Sequence, residues 1–176
     1  MTHAFPVRPI SSTSPLLDDR VRKALEPSSE GKMVLVAVGN PLRRDDGVGM
    51  YIGERAARFT SPSFSVVLAG FTPERVLDDI LRERPAKVVF VDAASFGGTP
   101  GEVRVLSEEE IVATTLSTHM FPLPVLARLI AEEVGCLVLF VGIEPQDVSF
   151  GEGLSRAVEE AAQAVLSYLE EVFQRA

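Results

Sequence analysis

The apolar positions of this chain alternate between short continuous runs and helical stripes. Four nearly continuous apolar runs have the length of buried strands: residues 33–38, 65–69, 87–92 and 136–143. Four other segments carry apolar residues every three or four positions, as amphipathic helices do: 47–58, 74–84, 121–134 and 152–174. Residues 102–106 instead alternate apolar and charged side chains, which predicts an exposed or edge strand.

Strands that alternate with helices predict βαβ units. The expected fold is therefore α/β: a three-layer αβα sandwich with a twisted, mostly parallel sheet of about five strands and helices on both faces.

The first 31 residues lie outside this regular pattern. Residues 11–15 are serine, threonine and proline, which favour turns or disorder, and residues 16–25 predict a short helix. We divide the chain into an N-terminal appendage, residues 1–31, and a single α/β domain, residues 32–176. The appendage either packs onto the domain or remains mobile.

Composition narrows the possible environments and partners. The chain has 176 residues, of which 46% are apolar and 24% charged, as expected of one globular domain. A net charge of −8 disfavours binding to nucleic acid, because phosphate backbones repel an acidic surface. No apolar run is long enough for membrane insertion, and the start of the chain lacks the pattern of a secretory signal. The single cysteine, Cys136, excludes an internal disulfide, so we expect a cytoplasmic protein.

Candidate chemistry follows the predicted strands. In open α/β sheets, ligands bind beyond the carboxyl ends of the strands. Asp45 and Asp46 follow the first strand, Asp92 ends the third, and His119 precedes a helix. Two carboxylates and one imidazole that converge there suit a divalent first-row metal with open positions for a substrate.

Each of these residues also has a structural interpretation. Asp45, Asp46 or both cap the following helix, Asp92 accepts hydrogen bonds from loop N–H groups, and His119 is a satisfied polar residue. Cys136 lies inside an apolar run, which predicts a buried, inert thiol and not a nucleophile.

Six short motifs occur in a fixed order between residues 33 and 173. They are Val36-Ala37-Val38-Gly39-Asn40, Asp45-Asp46-Gly47-Val48-Gly49, Val91-Asp92-Ala93, Pro100-Gly101-Glu102, Ser117-Thr118-His119 and Val141-Gly142-Ile143-Glu144-Pro145. Each motif is weak alone, but the ordered set resembles the [NiFe] hydrogenase maturation endopeptidases. A further stretch, residues 70–74, is similar to the family branch that serves formate-hydrogenlyase-type or energy-converting hydrogenases.

The resemblance implies a substrate and a metal. The family removes a C-terminal extension from the nickel-loaded precursor of a hydrogenase large subunit. Its three metal ligands correspond to Asp46, Asp92 and His119, which also makes these the catalytic candidates. Nickel would arrive with the substrate, and other divalent metals would occupy the site in vitro. No separate protein nucleophile is assigned, so we expect no acyl-enzyme.

One position departs from the family pattern. Many members carry an aspartate immediately before the glycine after the second strand, where this chain has Ala69. The change either impairs cutting or marks a different set of precursors. A non-cleaving nickel-site checkpoint or chaperone is therefore the alternative function. A phosphate-binding enzyme of the same fold is disfavoured, because Asp45 and Asp46 occupy the first loop. Arg43 and Arg44 either grip the precursor or form a solvated basic loop.

Overall fold

A five-stranded sheet forms the centre of the molecule. The computed structural model describes residues 14–114 and 122–174. The strands are β1 Met33–Val38, β2 Phe64–Gly70, β3 Lys87–Ala93, β4 Val103–Leu106 and β5 Leu137–Ile143. They lie in the order β2-β1-β3-β5-β4, and every neighbouring pair is parallel except β4 and β5. The mostly parallel sheet and the edge position of residues 102–106 confirm the prediction.

Helices cover both faces of this sheet. The helices are α1 Asp19–Leu25, α2 Val48–Ala56, α3 Leu77–Arg82, α4 Glu108–Thr114, α5 Leu123–Val134 and α6 Arg156–Gln174. Single 3₁₀ turns flank α2 and precede α3, at Arg44–Gly47, Ala57–Phe59 and Pro73–Val76.

Two apolar layers join the helices to the sheet. Side chains of α1, α2 and α6 pack on one face, and those of α3, α4 and α5 pack on the other. Successive residues of β1 serve both layers, since Leu35 belongs to the first and Val36 to the second, and both are fully buried. This arrangement is the predicted αβα sandwich.

The helix of the N-terminal segment contributes to the first layer. Val21 and Leu25 of α1 are fully buried, and α1 packs against β4, β5 and α6. At the C-terminal end of α1, the Lys87 Nζ donates hydrogen bonds to the carbonyl oxygens of Lys23 (3.3 Å) and Glu26 (2.6 Å). The division of the chain at residues 31 and 32 stays a prediction, and residues 1–13 are outside the described residues.

Two predicted elements need correction. The last helix begins at Arg156 and not at residue 152, for a reason that lies in the first loop and is given below. The fifth strand is buried only in its carboxyl half, because a groove between α1 and the start of β5 leaves Leu137 and Leu139 partly uncovered.

The chain connections create a crevice between β1 and β3. The connection from β1 to β2 runs through α2 on one face, whereas the connection from β2 to β3 runs through α3 on the other face. At such a switch point, the loops beyond the carboxyl ends of adjacent strands separate and leave room for a ligand. Within the described residues, no helix is both long and apolar enough to cross a bilayer.

Candidate functional site

The first loop folds back over the end of β1. The Asn40 N–H donates a hydrogen bond to the Asp46 carbonyl oxygen (3.1 Å). Gly39 adopts a φ of 140°, and a side chain there would collide with the same carbonyl oxygen and lie 3.5 Å from the Asp92 Oδ1. Gly39 therefore lies between Asp46 and Asp92, and its lack of a side chain lets the two predicted site residues approach the same crevice.

A second glycine brings α2 down onto the sheet. A Cβ atom at Gly49 would collide with the carbonyl oxygens of Val38 and Val91, at the ends of β1 and β3. Only glycine permits this approach of the helix to the two strands. The start of α2 is thus held directly beside the crevice, which explains the second glycine of the Asp-Asp-Gly-x-Gly motif.

The two carboxylates of the crevice are buried. Asp46 and Asp92 are 3% and 6% exposed. The Asp92 Oδ1 accepts a hydrogen bond from the N–H of Ala93, the next residue of β3 (2.8 Å). Buried carboxylates need hydrogen-bond donors or cations to offset their lost hydration. Two such buried carboxyl groups lie beside one crevice.

The third predicted ligand, His119, lies outside the described residues. The helices on either side of it are described: Ile111 of α4 and Leu123 of α5 line one small cavity together with Asp92. Among residues 14–114 and 122–174, no group of three or more His, Cys, Asp or Glu side chains has the arrangement of a metal site.

Asp45 does not cap a helix, so that interpretation of Asp45 is wrong. Its buried carboxylate accepts hydrogen bonds from the Gln146 N–H (2.9 Å), the Asp147 N–H (2.9 Å), the Ser155 N–H (2.7 Å) and the Ser155 hydroxyl (2.8 Å). Neither the turn Arg44–Gly47 nor α2 has a side-chain cap. Asp45 instead links the first loop to the loop after β5.

The same contacts explain the late start of α6. The Ser155 N–H points to Asp45, while the Ser155 carbonyl oxygen accepts the first helical hydrogen bond, from the Glu159 N–H (2.9 Å). Ser155 is therefore the N-cap residue, and the three residues before it belong to the loop. No local pattern signals this, since the partners of Asp45 are about a hundred residues away in the sequence.

Glu144 has a similar linking function at the end of β5. Its Oε2 accepts hydrogen bonds from the Phe96 N–H (2.8 Å) and the Gly98 N–H (3.2 Å), and its own N–H donates to the Glu102 carbonyl oxygen (2.9 Å). Glu144 thereby fixes the loop between β3 and β4. Glu144 belongs to the motif of residues 141–145, and its linking function could not be predicted because its partners lie more than forty residues away in the sequence.

The residue that departs from the family pattern lies in a bulge. The pairing of β1 with β2 passes from Leu68 to Gly70, so Ala69 is the extra residue. Its buried side chain packs in the apolar layer beneath α3.

Glu74 follows this bulge in the sequence. Its Oε2 is buried and has no hydrogen-bond partner among the described residues.

The arginines of the first loop differ from each other. Arg44 has a φ of 46° and its Nε lies 3.5 Å from the Asp147 Oδ2, so this side chain is paired within the protein. Arg43 is half-buried. Whether either arginine contacts a precursor stays a prediction.

Cys136 lies at the opposite end of the sheet from the crevice. It precedes β5, whose first residue, Leu137, pairs with Lys87 at the start of β3, whereas Asp92 is near the end of β3. The thiol is half-buried, and this burial raises its pKa. The thiol is less buried than predicted, but its position and raised pKa agree with an inert cysteine, because the nucleophilic form of cysteine is the thiolate.

Comparisons with known proteins agree with one another. The family model described as hydrogenase maturation protease matches residues 50–172. The Hydrogenase 3 maturation protease of Escherichia coli (strain K12) is 33% identical over 138 residues, which are 78% of this chain and 88% of that protein.

Solved structures show the same similarity. The [NiFe] hydrogenase maturation protease HycI from Thermococcus kodakarensis KOD1 superposes with a TM-score of 0.78 at 27% identity, over 89% of this chain and 99% of that one. A crystal structure of a Hydrogenase 3 maturation protease gives a TM-score of 0.71 at 32% identity, over 82% and 93% of the two chains. The similarity thus covers most of this chain and most of each relative.

Proposed function

Because the chain belongs to the hydrogenase maturation proteases and is an endopeptidase, we propose that it removes a C-terminal extension from the nickel-loaded precursor of a [NiFe] hydrogenase large subunit. The observation that carries this proposal is the pair of buried carboxylates, Asp46 and Asp92, at the switch point between β1 and β3. We further propose that the protein acts in the cytoplasm and serves the formate-hydrogenlyase or energy-converting branch.

The proposed site holds the substrate's nickel with Asp46, Asp92 and His119. Carboxylate and imidazole donors are suitable ligands for a divalent first-row metal, and three of them leave positions for the precursor's own groups. Ile111 and Leu123, which lie on either side of the segment that contains His119, line a cavity with Asp92, and this supports the inclusion of His119. Other divalent metals would bind the same ligands in vitro.

Charge repulsion gives this site a means of recognising loaded precursors. Two neighbouring carboxylates disfavour each other's ionised form, and a cation between them relieves that repulsion. A precursor that carries nickel supplies the cation, whereas an empty precursor does not. The enzyme should therefore bind the loaded form more tightly and cut only that form.

The bound metal would position the scissile peptide and polarise its carbonyl group or activate water. Since Cys136 lies at the other end of the sheet, we assign hydrolysis to water and expect no acyl-enzyme. The proposed set of metal ligands does not include a carboxylate at position 69. We therefore propose that Ala69 affects which precursor is bound and does not prevent cleavage.

The decisive experiment is a mass-spectrometric cleavage assay on the unprocessed large subunit from the same organism, with and without nickel. Loss of a C-terminal peptide from the nickel-loaded form alone is the expected result. Stable binding without cleavage would favour the checkpoint alternative and implicate Ala69. Equal cleavage of loaded and empty precursors would disprove recognition through nickel.

A further inference from the structure

Two exposed apolar side chains project from the loops beside the proposed site. Phe150 is 83% exposed, more than any other large apolar side chain among the described residues, and Leu42 is 50% exposed. Single exposed apolar residues are ordinary on protein surfaces, so exposure alone does not indicate a function. Leu42 and Phe150 differ from other exposed apolar residues because main-chain hydrogen bonds join the two loops that carry them.

Main-chain hydrogen bonds place the two residues side by side. The Gly151 N–H donates to the Leu42 carbonyl oxygen (2.8 Å), and the Arg44 N–H donates to the Gly151 carbonyl oxygen (2.9 Å). The two loops therefore form a short parallel bridge, with Leu42 on one loop and Phe150 on the other. We call these two side chains the apolar knob.

The loop that carries Phe150 is fixed on both sides of that residue. Before it, the Ser149 N–H donates to the Asp147 Oδ1 (2.8 Å), and the Asp147 N–H donates to Asp45. After it, Ser155 binds Asp45 through two further hydrogen bonds. An ordered loop that exposes a phenylalanine loses little conformational entropy when that side chain is buried by a partner.

The apolar knob also adjoins the proposed site. Leu42 and Asp46 belong to the same loop, which the bond from the Asn40 N–H to the Asp46 carbonyl oxygen closes. Leu42 of the apolar knob therefore lies on a loop that also carries a proposed ligand of the substrate's nickel.

We propose that Leu42 and Phe150 dock into an apolar depression on the folded, nickel-loaded precursor, beside the segment that is cut. This inference rests on the proposed function. The exposure of Phe150 on a fixed loop favours a concave, folded partner over a flexible peptide, since an aromatic side chain contributes most to binding where a preformed pocket removes it from water.

The test compares Phe150→Ala with a matched control, Leu137→Ala. Leu137 is also an exposed apolar residue (56%), but it lies at the other end of the sheet. With nickel-loaded precursor as substrate, Phe150→Ala should raise KM about tenfold and leave kcat unchanged, as expected for loss of one interface anchor. The affinity for the precursor should fall by the same factor, and Leu137→Ala should match the wild type in both measurements.

A second substrate separates docking from recognition of the extension. A synthetic peptide that spans the cleavage position should bind wild type and Phe150→Ala equally, because it has no folded surface. Equal weakening for peptide and precursor would overturn the inference, as would an unchanged KM for the precursor. Sedimentation that shows a wild-type dimer and a Phe150→Ala monomer would reassign the knob to self-association.

The results that would reject the proposed function differ from those that would reject the docking inference. If wild type cuts no loaded precursor but still binds it, and Phe150→Ala weakens that binding, the docking inference stands while the protease assignment falls. If wild type neither cuts nor binds the precursor, both are disproved.

Discussion

The two ends of the sheet use buried charges of opposite sign. At the amino end, the ammonium group of Lys87 donates to carbonyl oxygens at the C-terminal end of α1. At the carboxyl end, the carboxylate of Asp45 accepts N–H groups from the loop after β5. In both places a side chain satisfies main-chain groups that regular secondary structure leaves without partners.

The two ends of the sheet differ because only the carboxyl end carries candidate metal ligands. At the amino end, burial lowers the pKa of Lys87, and the cation serves to join α1 to the sheet. At the carboxyl end, Asp45 and Glu144 fix the loops, and the candidate ligands Asp46 and Asp92 are buried at the same end of the sheet. Changes at the carboxyl end should therefore affect cleavage, whereas changes at the amino end should affect stability alone.

The largest expected effect is the loss of a proposed ligand. Asp46→Ala, Asp92→Ala and His119→Ala should each reduce processing of the nickel-loaded precursor below detection, because two remaining ligands hold the metal poorly. The aspartate variants should still unfold cooperatively in urea, as the wild type does, because each change is confined to one side chain of the site. Mass spectrometry of the product and urea unfolding measure the two properties. Full activity in any variant would exclude that residue from the site.

Asp45→Asn should reduce processing less than the loss of a ligand does, but it should lower the free energy of unfolding more. Asp45→Asn keeps the shape of the side chain but points an amide NH₂ at main-chain N–H donors. We expect the free energy of unfolding to fall by about 3 kcal/mol, because several hydrogen bonds to a charged acceptor are lost. Processing should fall about tenfold or more, as for other residues that orient a ligand without touching the metal.

Asp147→Asn is the matched control for this variant. Asp147 belongs to the loop that Asp45 binds, but it is exposed and its pair with Arg44 is long. An asparagine there keeps a side-chain oxygen that can accept the Ser149 N–H. Little change in stability or processing is expected for it. If Asp45→Asn also had wild-type activity, the link between the two loops would be irrelevant to the site.

Asp45 also shows where sequence analysis reached its limit. The adjacent aspartates looked equivalent, and helix capping was a reasonable interpretation for both, because capping depends on neighbours in the chain. The contacts of Asp45 depend on the position of residues 146–155, which the sheet topology brings to the first loop. The start of α6 at Arg156 was missed for the same reason.

The rest of the fold was predictable because its signals are local. The apolar run of β1, the stripe of α2 and the alternation of β4 each reflect periodicity within one element, and the structure confirms all three. The placement of Asp46 and Asp92 in one crevice also followed, since parallel strands end at the same edge. The partial exposure of the start of β5 could not be predicted, because it depends on the groove between α1 and β5 and not on the sequence of the strand.

The third prediction tests the amino end. Lys87→Met keeps a long apolar stem in the same space but leaves the carbonyl oxygens of Lys23 and Glu26 without their donor. The loss should be about 1–2 kcal/mol, because removal of a buried charge offsets part of the missing hydrogen bonds. Urea unfolding measures this loss, and kcat should remain at the wild-type value. A fall in kcat at full occupancy of the folded state would show that the two ends are coupled.

The smallest expected effect involves Glu83, which also lies at the amino end. Its carboxylate accepts hydrogen bonds from the Lys32 ammonium (2.5 Å) and the Ser65 hydroxyl (3.2 Å), and the bond to Lys32 is the main reason that its pKa is lowered from 4.5. A lowered carboxyl pKa means that this contribution to stability is complete above 4.5 and disappears as the pH falls through the lowered value. Since the pair is partly solvated, Glu83→Gln should lose less than about 1 kcal/mol at pH 7.

The pH dependence gives this last comparison its control. In acid below the lowered pKa, wild type and Glu83→Gln should unfold at the same urea concentration, because Glu83 is then protonated in both folded and unfolded chains. Processing at pH 7 should be equal as well. A difference that persists in acid would mean that the substitution disturbs packing and not charge. Reduced processing would mean that the amino end contributes to cleavage, so the separation of stability and activity between the two ends would not hold.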